Sequence, residues 1–329
     1  MTPGRSCPLH YRYAPEDLAR NTPLATDCLY VAGGLYGNLP ALDVILDLAA
    51  RERCPAAIVF NGDFNWFNID RPGLVEINRR VLAHIALRGN VETELAGDDS
   101  AAGCGCGYPD FVSDAEVERS NRIIGQLRDT ARALPVLRRQ LGALPMHATT
   151  RVGSTRVTIV HGDCESLAGW GLSQEALAAD EQRGRVRQWF ARAQVNIIAS
   201  SHSCLPVMAD FETTQGVCAV INNGAAGMPN FRATHCGVIT RIATFPSPPA
   251  QPLYAMRIDD VYLEALPVHY DNDRWQREFL ANWPAGSPAH AAYYRRITRG
   301  PDYSIDPAVR LTASRSDRAR LTAVATRSA

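Results

Sequence analysis

The chain has 329 residues, 46% of them apolar and 21% charged, with 34 cationic and 34 acidic side chains. That balance fits a soluble globular protein with an ample core, and zero net charge gives no general attraction to nucleic acid or an anionic membrane. No lysine occurs, so every cation is arginine, which excludes a Walker lysine, a Schiff-base lysine and a lysine general base.

Residues 1–24 read as an N-terminal extension without an apolar signal core, and no uninterrupted apolar run in the chain is long enough to span a bilayer. Nine cysteines are scattered along the chain, so reduced thiols, mostly small core residues, and a cytoplasmic location are expected. Short β-branched runs follow one another: Cys28–Gly33, Ala56–Asn61, Val81–Arg88, Arg156–His161, Val195–Ser200 and Val217–Asn222. The first runs through a tight turn, VAGGLYGNLPAL, into a helix whose stripe is Leu42, Ile45, Leu46 and Ala49. Gly97–Pro109 is a Gly-rich loop, and Asp114–Leu141 reads as two helices parted near Pro135, so residues 97–144 are expected as a helical cap insertion. CGVITRI, LYAMRI and YLEALPV continue as consecutive strands to Val268. Helix alternating with strand, then strand following strand, predicts a layered α/β sandwich of mixed parallel and antiparallel sheets over residues 25–270. Residues 271–329 turn polar and Arg-rich and are expected as a C-terminal extension, partly exposed or disordered.

In an open α/β sheet, ligands bind beyond the carboxyl ends of the strands. Those ends read Gly34-Leu-Tyr36, Asn61-Gly-Asp63, Gly89-Asn90-Val-Glu92, His161-Gly-Asp163, Ser201-His202-Ser-Cys204 and Asn222-Asn223-Gly. Asn38, Asn65 and Asn223 fall on loops at the same edge. They are candidate phosphate contacts, or residues that form turns. Cys104-Gly-Cys106 has no second cysteine pair nearby, which favours a loop over the site rather than structural zinc.

This ordered set resembles the calcineurin-like metallophosphoesterase superfamily from about Cys28 to Ile242: VFNGDF its Gly-Asp motif, RGNVE its Gly-Asn-His-Glu motif, IVHGD its later histidine motif, and IIASSHSCLP its Gly-His-x-His motif. The resemblance implies that Asp63, Asn90, His161 and His202 hold one divalent metal (Zn, Mn or Fe) of the two that the family typically binds. The ligands of the other stand replaced by Gly34, Tyr36 and Cys204, so one metal per chain is expected. Cys204 is then an extra ligand, a site thiol or a filler, and Tyr36 fills the vacated space or meets a substrate oxygen. Val91 stands where the family has its usual proton donor. The resulting expectation is a metal-dependent hydrolase of a small phosphate ester. The alternatives are a scaffold of the same fold that binds a ligand or protein without turnover, and a metal-dependent enzyme of another reaction class using Cys204. Oligomeric state is not indicated.

Overall fold

The computed structural model describes residues 2–20, 24–98, 101–248 and 250–312. Its strands are β1 (Leu24–Thr26), β2 (Cys28–Ala32), β3 (Ala57–Asn61), β4 (Ile85–Leu87), β5 (His147–Val152), β6 (Thr155–Val160), β7 (Ile197–Ser200), β8 (Pro206–Thr213), β9 (Gly216–Asn223), β10 (Gly237–Ala243), β11 (Tyr254–Ile258), β12 (Val261–Val268) and β13 (Val309–Arg310). The α-helices are α1 (Pro15–Arg20), α2 (Leu39–Ala50), α3 (Arg71–Val81), α4 (Asn90–Ala96), α5 (Asp114–Arg132), α6 (Pro135–Gly142), α7 (Asp180–Ala193), α8 (Asn272–Asn282) and α9 (Pro288–Arg299).

Two mixed sheets stack face to face. One runs β1-β5-β6-β7-β9-β8-β13 and the other β11-β12-β10-β2-β3-β4. Strand periodicity decides what each face meets, because successive side chains point to opposite sides. In β2, Leu29 and Val31 enter the core between the sheets, while Cys28, Tyr30 and Ala32 join the core beneath the helices. In β9, Ala219 and Ile221 face the other sheet, and Cys218 and Val220 face the layer containing Trp189 and Phe190 of α7. Strands buried on both faces must be apolar throughout, which is why these runs stand out in the sequence.

The expected sandwich and the two helices parted at Pro135 are present. The strand expected over Val81–Arg88 is shorter. Leu74, Ile77 and Val81 form a buried helical stripe, Asp70 caps α3 by accepting from Gly73 N, and the strand proper is Ile85–Leu87. Strand β5 and helices α4 and α7 carry too many polar residues for their periods to show. The polar segment from Asp271, expected as an extension, supplies two helices to the main core. Trp275, Phe279, Trp283 and Ile297 are buried there, and Trp283 Nε1 donates to Phe67 O at 3.0 Å. The buried side of α8 is Trp275 and Phe279, four residues apart on one face of an otherwise polar helix, so low overall hydropathy concealed the packing. Residues 313–329, the last part of the expected extension, fall outside the described residues.

Candidate metal centre

Hydrogen bonds between loops gather the strand ends at one edge. Gly34 N donates to Gly62 O at 3.1 Å, His202 N to His161 O at 2.9 Å, and Asn61 Nδ2 to Val160 O at 2.8 Å. Asn223 accepts from Gly33 N and donates to Gly33 O. Asp63 follows β3, Asn90 opens α4, His161 follows β6 and His202 follows β7. His161 Nε2 lies 3.1 Å from His202 Nδ1, 3.2 Å from Asn90 Oδ1 and 3.4 Å from Asp63 Oδ2. The four residues named from sequence therefore converge.

The far side of each residue is tied to backbone. His161 Nδ1 donates to Asn61 O at 2.9 Å, and His202 Nε2 donates to Cys106 O at 2.8 Å. Asn90 Nδ2 donates to Cys104 O at 2.9 Å, and Asp63 Oδ1 accepts from Val91 N at 3.2 Å. These contacts fix the tautomers and leave His161 Nε2, His202 Nδ1, Asn90 Oδ1 and Asp63 Oδ2 pointing inward. Metal-binding histidines are ordinarily held this way from the opposite nitrogen. The spacings match the edge of a tetrahedron around an ion with bonds of about 2.0–2.1 Å, roughly 3.3 Å. Asp63, His161 and His202 are all buried and offer atoms within 4.8 Å of one another. The donor set fits a divalent metal.

Close approach of the loops demands glycine. A Cβ on Gly62 would stand 2.6 Å from both Gly89 N and His161 Nδ1, and one on Gly89 would run into the Asp63 carboxylate. Asp63 itself has a left-handed backbone (φ 53°), a conformation that costs a non-glycine residue on the order of 1–3 kcal/mol and is kept where the surroundings over-determine it. Glu92 over-determines it. Its carboxylate accepts from Asp63 N at 2.7 Å, Phe64 N at 3.1 Å and Gly89 N at 3.0 Å, binding two ligand loops together. Sequence reasoning left Glu92 out of the site. Its signal was the acidic residue three positions after Gly89, the pattern of a helix N-terminal box.

Electrostatics follow from burial. Burial pulls the His161 imidazole down, but the Asp63 carboxylate outweighs it and holds the ring above its ordinary value. Asp63 is lowered in return, His161 overcoming its burial. Burial and then the charge on His161 push His202 down to about 4, so it stays neutral. Glu92 is pushed up to about 7 by burial and by Asp63, against its backbone donors. A metal entering this site competes with protonation of His161, which the Asp63 carboxylate favours. The folded protein binds that proton more tightly than free imidazole does, so metal affinity falls as pH drops through and below the ordinary histidine range and rises above it. Chelator competition at pH 5.5, 6.5 and 7.5 is expected to give affinities climbing in that order. A flat profile would place the metal elsewhere.

The remaining candidates divide. Tyr36 and Cys204 reach the site and meet each other, Tyr36 Oη lying 2.9 Å from Cys204 Sγ. Asn38, Asn65 and Asn223 are fully buried, and their amides are spent on structure. Asn38 caps α2 by accepting from Ala41 N, Asn65 donates to Glu92 and Asn78, and Asn223 ties Gly33 to Val238. They form turns and junctions rather than an open phosphate cradle, since loop asparagines are chosen first for backbone pairing. Cys104 and Cys106, expected as reduced thiols, are joined in a disulfide, and their loop supplies the two carbonyls that orient Asn90 and His202. Also missed were Trp66, Tyr108, Phe111, Trp170, Tyr293 and Arg296, which line a cavity of about 400 Å³ opening onto Asp63, Asn90 and His202. They come from separate segments, and no local pattern marks them.

No protein-family model matches the chain, and no curated protein matches it. Solved structures do. A hypothetical protein from Pyrococcus horikoshii OT3 aligns with a TM-score of 0.55 at 14% identity, covering 85% of this chain and 100% of that one. A metallophosphoesterase from Sphaerobacter thermophilus aligns with a TM-score of 0.51 at 17% identity, covering 83% and 100%. The chain has the metallophosphoesterase fold. Within that fold, the Asp63–His161–His202 cluster occupies the strand-end edge where the α/β architecture places ligands. Among the described residues no helix is long and apolar enough to cross a membrane.

Proposed function

We propose that the protein is a metal-dependent hydrolase of a small-molecule phosphate ester, with Asp63, Asn90, His161 and His202 holding one Zn²⁺, Mn²⁺ or Fe²⁺ per chain. The observation that carries this reading is the set of four inward donor atoms, each braced from behind by a backbone group. A bound divalent ion supplies Lewis acidity toward a phosphoryl oxygen and lowers the pKa of water. The chain's own residues orient the donors, keep His202 neutral and present the substrate from the adjoining cavity. A cytoplasmic location is proposed from seven unpaired cysteines, four of them buried, which outnumber the single Cys104–Cys106 pair.

One metal rather than two is proposed because Tyr36 and Cys204 fill the second position. A Cβ on Gly34 would stand 2.9 Å from the Tyr36 ring, so the space a carboxylate would need is taken. Two dications about 3.5–4 Å apart need several anionic ligands between them. Elemental analysis is expected to return about one metal per chain, unchanged in Cys204→Ser. Two metals, one of them lost in Cys204→Ser, would overturn the mononuclear reading. Slow, chelator-sensitive hydrolysis of an activated aryl phosphate is the expected activity, because Val91 is buried and cannot donate a proton to the leaving group. The same Val91 and the Tyr36–Cys204 pair favour the second reading, a scaffold that binds a phosphate ester without turning it over. Metal-dependent binding with no hydrolysis of any phosphate ester would select it.

A further inference from the structure

The cavity beside the donor set is walled by rings. Trp66, Tyr108, Phe111, Trp170 and Tyr293 line it, drawn from the β3–α3 loop, the loop before α5, the loop after β6 and α9. Trp170 is fixed in plane because its Nε1 donates to Cys106 O at 2.9 Å. It meets the His202 ring edge-on at 5.4 Å, so an aromatic wall begins at the donor set itself. Tyr108 lies 5.9 Å from Trp170, and Phe111 crosses it at 6.2 Å and 85°. Trp66 and Tyr293 form a second edge-to-face pair at 6.4 Å. Phe111 is 64% exposed at the rim although it is a large apolar side chain, and a ring left in water beside a cavity is a surface that a ligand can cover.

The charges argue in the same direction. Among the described residues lining the cavity, Arg296 is the one guanidinium, and it is engaged, Nε donating to Pro229 O at 3.0 Å and Nη2 to Cys204 O at 2.7 Å. Glu116 and Glu175 line the same space. A chain of phosphates would carry several negative charges to acids and a single occupied cation, whereas tight phosphate recognition uses forked arginines. The volume lies within the roughly 300–1,000 Å³ of small-ligand sites, enough for one ring system and one phosphoryl group.

The geometry points to a substrate that carries a single esterified phosphoryl group and a planar aromatic ring, the phosphoryl end at Asp63 and His202 and the ring against Trp170 and Phe111. This rests on the metal-site reading above and adds the substrate class. Two sources share this chemistry, phenolic esters and nucleoside monophosphates.

The test uses full-length protein with Mn²⁺ and two non-hydrolysable probes, phenylphosphonate and methylphosphonate, with affinity measured by calorimetry. Phenylphosphonate is expected to bind at least about tenfold tighter, as one or two ring contacts provide. In Phe111→Ala, whose side chain is exposed and makes no polar contact that folding needs, the ratio is expected to fall severalfold while methylphosphonate affinity stays put. Equal, Mn²⁺-dependent binding of both probes would overturn the aromatic assignment and leave the metal-site reading standing. Failure of both to bind with Mn²⁺ would sink the metal-site reading itself. Turnover then separates the sources. A lower KM for 4-nitrophenyl phosphate than for adenosine monophosphate assigns phenolic esters, and the reverse assigns nucleotides, KM being compared because the nitrophenolate leaving group raises kcat whichever ring the cavity prefers. Preference for glycerol phosphate or tripolyphosphate over both would overturn the inference.

Discussion

His161→Ala is expected to lose the metal and, with it, all hydrolysis above background. His161 is the centre of the constellation, with its Nε2 within 3.4 Å of an atom on each of the other three donors. Removing it takes out one of two nitrogen ligands and leaves the Asn61 carbonyl that orients it to the Ser201 hydroxyl. It also strips Asp63 of the partner that keeps this buried carboxyl below its ordinary value, so Asp63 moves toward the neutral form, which is a poor ligand. Loss of a supporting group alone typically costs about 10–100-fold in metal affinity, so loss of the ligand should exceed roughly 100-fold. Elemental analysis after dialysis and 4-nitrophenyl phosphate turnover, both on protein whose far-ultraviolet circular dichroism matches the parent, check this. Wild-type turnover in His161→Ala would assign the activity to a contaminant or another part of the chain.

How far the sequence speaks depends on what each residue is asked to do. Strands β2, β3, β6, β7 and β9 were legible because burial on both faces leaves each with a largely apolar run, and the residue that ends each run lies toward the ligand edge. Asp63, Asn90, His161 and His202 inherit their positions from those ends. Asn38, Asn65 and Asn223 sit on the same edge, yet their amides serve backbone junctions, and nothing in a loop asparagine distinguishes a cap from a ligand contact. Helix α7 escaped notice because ten of its positions are not buried, and its apolar side is only Val186, Trp189, Phe190 and Ala193. The aromatic cavity was invisible for a different reason. Trp66, Phe111, Trp170 and Tyr293 meet only in three dimensions, and α9 reaches them from a segment whose composition reads as surface. The role of the CGC loop was likewise hidden, because it acts on Asn90 and His202 through backbone carbonyls that any residue could supply.

The largest stability effect is expected at Arg241, the middle of a buried ion triad with Glu52 and Glu264. Its side chain is fully buried, as is that of Glu52, and Glu264 is nearly so. In register, Arg241 stands between Tyr30 of β2 and Glu264 of β12, and it reaches out to Glu52 just beyond α2. All three guanidinium nitrogens are used. Nε and Nη2 grip Glu52 at 2.6 and 3.0 Å, and Nη1 donates to Glu264 at 2.6 Å and to Phe245 O at 2.9 Å. Tyr30 Oη donates to Glu52 as well, at 2.7 Å. Arg241→Ala would strand two carboxyls and a carbonyl away from water, and breaking a buried pair from one side costs about 3–5 kcal/mol. Arg241→Lys should recover only part of that, because an ammonium is a point charge and cannot span both carboxylates with a fork. Removing all three charges together, as Glu52→Leu, Arg241→Met and Glu264→Leu, should recover more than Arg241→Lys does, since charge burial rather than attraction dominates when no partner is left behind. Urea unfolding midpoints for the four proteins test the order. An Arg241→Ala protein within about 1 kcal/mol of the parent would mean that water reaches the triad and that the sheet does not depend on it.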